Sequence, residues 1–202
     1  MVSFMDELER VFMPAQRDGI DAIAQLAGRF EDPDWHRPSE CEGWSALDLV
    51  GHVLTVADLW HDMVDRMQSG ETSPPFGWED FPERNAHALA ALPVTSGSDR
   101  VTAFVHRAHE WVDRVAALEP DQPLGVPVQD IVTSQITLGS FVAASANEWH
   151  VHAWDLGIAI GERYQPTAPG VLLDGLRSWW PHLEARGDSW RTVLRLYGRT
   201  VT

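Results

Sequence analysis

The chain has 202 residues, a 44% hydrophobic fraction and 15 basic against 30 acidic side chains, for a net charge of −15. That length and apolar content suit a single core-forming domain, or one with a short appendage. Every basic residue is arginine, and so acidic a chain is poorly suited to nucleic acid or an anionic membrane surface, both of which require clustered positive charge.

The first stretch, residues 3–30, places Phe4, Leu8, Val11, Phe12, Ile20, Ile23, Leu26 and Phe30 at spacings of three and four, which predicts a helix with a break or kink at Pro14. Its charges, Asp6, Glu7, Glu9 and Arg10 among them, leave no apolar core for a signal peptide. Residues 31–44, with Pro33, Pro38 and Gly43, read as a loop that carries Cys41. As the only cysteine it excludes an intrachain disulfide. Ser45 and Asp48 form a capping-box pattern that opens a helix over about 45–68. The Gly- and Pro-rich stretch 70–81 is a loop offering Phe76, Trp78 and Phe81 to the edge of a pocket, and helix resumes over about 83–91.

Caps within Ser96–Asp99 introduce a third long helix, about 99–118, and Pro120–Pro127 breaks the chain. A fourth helix, about 134–161, ends at Gly161 as a C-cap. Beyond a linker at 166–169, residues 171–185 look helical and 192–200 look strand-like, with no partner strand. The expected fold is all-α: a four-helix bundle over residues 1–161, then a C-terminal extension, 162–202, with a short helix and a strand-like tail. No apolar run reaches the roughly 20 residues of a membrane helix, and the expected location is the cytoplasm.

Chemistry concentrates in N-E-W-H-V-H-A-W-D-L, residues 147–156. On a helix Glu148, His152 and Asp155 share one face. Glu148 and His152, one turn apart, make half of a divalent-metal site, and His52 on an earlier amphipathic helix is the natural third ligand. Two histidines and a glutamate with an open position describe a catalytic zinc site. The bland alternatives are a solvated Glu148–His152 hydrogen bond and a core histidine at 52. Asp155 is either a hydrogen-bond acceptor for the far nitrogen of His152, orienting its ring, or an exposed helix carboxylate. His150 cannot share a metal with His152 on a helix, being about 200° away. His106 and His109 form a second pair on a face that looks solvated. Cys41 has no flanking base and reads as an inert thiol, and Trp149 and Trp154 as interhelical packing.

The segments C-E-G-W-S-A-L-D-L-V-G-H, 41–52, and E-W-H-V-H-A-W-D-L-G-I-A-I-G, 148–161, resemble the mycothiol-dependent maleylpyruvate isomerase family, within the DinB-like superfamily of metal-binding four-helix bundles. The resemblance spans roughly residues 5–161. It implies a metal, usually zinc, held by His52, Glu148 and His152, and mycothiol as a thiol cosubstrate whose sulfur takes the open position. It also implies a C-terminal α/β domain that supplies an arginine. Here about 40 residues follow the bundle, short of that domain, and Arg191, Arg195 and Arg199 lie among them without an assignable role. The expected activity is therefore metal-dependent thiol transfer or addition to a small electrophile, isomerase-like or conjugating, in a chain that could pair into a homodimer through helix faces. The alternatives are a metal-dependent hydrolase and a non-catalytic metal-binding or interaction bundle.

Overall fold

The computed structural model describes residues 4–128, 135–184 and 187–200. The expected start of the fourth helix, Ser134, and the expected end of the next, Ala185, lie outside them. Helix α1 (Phe4–Glu7) runs through one π-helical turn (Leu8–Phe12) into α2 (Met13–Ala27). The π turn falls just before Pro14, which has no N–H for an i→i−4 bond and whose ring crowds the preceding carbonyls. The helix absorbs the proline there instead of breaking.

Helix α3 (Ala46–Gln68) begins at the Ser45–Asp48 capping box, the Asp48 N–H donating to Ser45 Oγ and the Ser45 N–H to Asp48 Oδ2. A short α4 (Phe81–Ala91) and α5 (Gly97–Ala116, capped by Ser96) follow, then α6 (Leu138–Ala159). Gly161, at φ 74°, takes the left-handed position that ends α6, and the Glu162 N–H returns to the Gly157 carbonyl.

The bundle is formed by α2, α3, α5 and α6, in the order α2, α6, α3, α5 around its axis. Helix α6 is buried almost all round, because α7 (Pro169–Arg177) covers the face that the bundle leaves open. That contact is close: a Cβ at Gly175 would lie 2.1 Å from the Ala143 carbonyl oxygen. The core centres on Trp60, Trp111, Trp149, Phe104 and Phe141, with ring centroids 4.3–6.0 Å apart. Trp154 sits in a second apolar cluster with Leu172, Leu173, Leu176 and Val193. Both tryptophans of the 147–156 stretch therefore pack between helices. Phe81 meets Phe76 and Trp78 edge-to-face at 5.0–5.1 Å, and none of the three lines the cavity described below.

The strand-like reading of 192–200 is overturned. Ser189–Leu196 is a helix, α8, capped by Asp188, whose carboxylate accepts from the Arg191 N–H at 2.9 Å. Trp190, Val193 and Leu194, at helical spacing, face α7, while Arg191 and Arg195 face solvent. The tail needs no partner strand because burying that stripe against α7 satisfies it. Among the described residues only isolated β-bridges occur, and no helix is long and apolar enough to cross a membrane.

Candidate metal centre

Of the four neighbouring helix pairs, α3 and α6 approach least closely. Along that edge His52, on the second turn of α3, meets Glu148 and His152, one turn apart on α6. Glu148 Oε1 lies 3.3 Å from His52 Nε2 and 3.1 Å from His152 Nε2. Adjacent ligands about 2.0–2.2 Å from a tetrahedral ion are separated by about 3.3 Å; both nitrogen–oxygen pairs match that spacing, all three atoms lie within 4.8 Å of one another, and their chemistry suits a divalent metal. His52 and His152 are buried, and Glu148 keeps 22% of its side chain exposed.

The electrostatics of the three groups are interlocked. Burial alone would raise the Glu148 carboxyl, but the two imidazoles outweigh it and hold that carboxyl far below the usual carboxylate range. Burial pushes His52 down. It would do the same to His152, but the Glu148 charge and the Asp155 hydrogen bond raise that ring well above its ordinary value.

Behind His152 lies a relay that fixes its orientation. Its Nδ1–H donates to Asp155 Oδ2 at 2.9 Å, and Asp155 is fully buried rather than an exposed helix carboxylate. Arg199, just past α8, clamps that carboxylate with Nε on Oδ1 at 2.8 Å and Nη2 on Oδ2 at 2.6 Å. Burial would raise the Asp155 carboxyl, but Arg199 and His152 bring it down to about 2. The Cys41 thiol donates to the same Asp155 oxygen at 3.3 Å, accepts from Arg199 Nη2 at 3.2 Å and lies 4.0 Å from His152 Nδ1. The reading of Cys41 as a thiol without a neighbouring base is corrected: α6 supplies the carboxylate and imidazole. Cys41, His152 and Asp155 form a second convergent donor group, but the Arg199 guanidinium already fills it with positive charge. The metal-binding reading therefore rests on His52, Glu148 and His152.

Other sequence candidates are dispersed. His150 is buried on the opposite face of α6, donating from Nε2 to the Ala15 carbonyl at 2.9 Å and accepting from the Tyr164 hydroxyl at 2.6 Å. His109 pairs with Asp21 at 3.0 Å, and neither His109 nor His106 belongs to a convergent donor group among the described residues. Arg199 went unassigned in the sequence. Its partner, Asp155, is 44 residues away, and a conformation outside regular structure leaves no periodic signal to find it by.

His52 and His152 open into a cavity of about 480 Å³, walled also by Glu40, Cys41, Trp44, Asn85 and Arg199. The assembly is a helical bundle with a convergent histidine–glutamate donor set whose two histidines line a small-molecule-sized cavity. Residues 16–157 match the family described as mycothiol maleylpyruvate isomerase N-terminal domain, and the chain belongs to that family. The fold is similar to the crystal structure of the mycothiol-dependent maleylpyruvate isomerase, at a TM-score of 0.60 and 18% identity, over 87% of this chain and 70% of that one. No curated protein matches the sequence significantly.

Proposed function

We propose that the chain is a metal-dependent enzyme that uses a low-molecular-weight thiol, mycothiol by family membership, and adds or transfers it to a small electrophile. The observation that carries this reading is the donor set His52–Glu148–His152, whose two histidines line an open cavity. A structural site would be enclosed by four protein ligands, whereas three ligands beside free space suit exchangeable chemistry. A divalent ion, zinc in this reading, would keep a bound thiol deprotonated at neutral pH.

The chain's own groups then divide the work. Asp155 holds the proton on His152 Nδ1 and thereby keeps Nε2 free as a donor atom facing Glu148. Arg199 keeps Asp155 ionised and fixed. Trp44, its ring 4.7 Å from that of His52, walls the cavity and limits water around the reacting sulfur. The extension 162–202 acts in this reading as a brace on α6 that delivers Arg199, rather than as a separate domain. The test is to incubate the zinc-loaded protein with mycothiol and a panel of small electrophiles, maleylpyruvate included, and follow loss of free thiol. Thiol consumption should require both metal and Glu148. Equal turnover by Glu148→Ala, or turnover of a substrate with no thiol present, would contradict it.

A further inference from the structure

We infer that the mouth of this cavity selects by charge, admitting a thiol ligand whose remainder is neutral or cationic and disfavouring one that carries a carboxylate. The inference rests on the metal–thiol reading above and concerns which ligands that site takes.

With His52 and His152 held on the ion as neutral ligands, the remaining cation among the described lining residues is Arg199, and Asp155 neutralises it through two hydrogen bonds, so it presents no free charge to an incoming anion. Its remaining nitrogen, Nη1, is engaged by the Tyr197 carbonyl at 2.5 Å. The other charged groups at the mouth are Glu40 and Glu42, both exposed and without a salt-bridge partner among the described ion pairs. Deeper in, one divalent ion against Glu148 would leave a single positive charge, which one thiolate cancels. A second negative charge on the ligand then meets two uncompensated glutamates. Trp44, beside those glutamates, adds an aromatic wall, which favours cationic groups over anionic ones.

The experiment uses the full chain loaded with cobalt and three thiols of similar size: thiocholine (cationic), 2-mercaptoethanol (neutral) and 3-mercaptopropionate (anionic). Binding is read from the thiolate-to-cobalt charge-transfer band. The measured quantity is the affinity ratio of thiocholine to 3-mercaptopropionate in the wild type, divided by the same ratio in Glu40→Gln/Glu42→Gln. This cancels the intrinsic acidities of the thiols. Both side chains are exposed, so the variant should fold as the wild type does. For exposed charges in a water-like dielectric with partial salt screening, that quotient should be about threefold to tenfold at low ionic strength and fall toward one in high salt. A quotient of one at low salt would overturn charge selection while leaving the thiol site standing. A missing charge-transfer band with all three thiols would overturn the metal–thiol reading and the inference with it.

Discussion

Replacing Asp155 by asparagine tests the relay behind the donor set. The carboxylate is fully buried and accepts from His152, from Arg199 twice and from Cys41. An amide keeps the shape but loses the charge, and it turns one acceptor into a donor aimed at other donors. The stabilisation can be sized from the carboxyl's own equilibrium. Moving from the ordinary 3.8 to about 2, at 1.36 kcal/mol per pH unit, corresponds to about 2.5 kcal/mol. Leaving Arg199 unpaired at 16% side-chain exposure pushes the cost toward the 3–5 kcal/mol typical of a broken buried pair. Asp155→Asn should therefore lose about 2.5–4 kcal/mol at pH 7, which lowers Tm by roughly 5–15 °C for a chain of this length.

Because the folded carboxyl lies below its unfolded value, this stabilisation is complete above about pH 4 and disappears as pH falls toward 2. The gap between wild type and variant should narrow over that range. Urea titration followed by tryptophan fluorescence, at pH 7 and stepwise below pH 4, measures it. A variant within about 0.5 kcal/mol of wild type at pH 7, or a gap that does not change with acid, would refute the argument.

Gly175→Ala would drive a methyl group into the Ala143 carbonyl at 2.1 Å, where backbone of α6 cannot yield without moving the whole helix. It should cost about 3 kcal/mol or more in thermal or urea unfolding, as overpacking does. A silent Gly175→Ala would mean that α7 does not pack as described. His150→Phe keeps the buried ring but strips partners from the Ala15 carbonyl and the Tyr164 hydroxyl. The expected loss is about 2–4 kcal/mol of stability with metal content unchanged, since His150 lies on the face of α6 away from the donor set. Metal loss in that variant would contradict the placement.

Much of the bundle can be read from the chain because its signals are local. The Ser45–Asp48 cap, the Gly161 stop and the three-and-four spacing of apolar residues each act within a turn or two. The same locality singles out Glu148 and His152 one turn apart, and the structure brings His52 to them. What escaped depends on distant partners. Cys41 looks inert among its neighbours because the groups it touches come from a helix more than 100 residues on. Arg199 follows α8 in a conformation with no period, and only the packing of α8 on α7 carries it to Asp155. The run V-L-R-L-Y, apolar but for one arginine, reads like a strand in isolation, but Trp190, Val193 and Leu194 share one helical face, and the Asp188 cap starts the helix in time to bury it. The π turn before Pro14 illustrates a further limit: the proline forecasts a disturbance, while tertiary packing decides whether the helix breaks or adapts.

The central claim, that His52, Glu148 and His152 hold a divalent ion, is tested most directly by elemental analysis of the wild type and Glu148→Ala, both prepared without affinity histidines. The account predicts about one ion per chain in the wild type and almost none in the variant, with both proteins helical, since a bundle with this core does not need metal to fold. No metal in either protein after incubation with zinc, or equal metal in both, would contradict it.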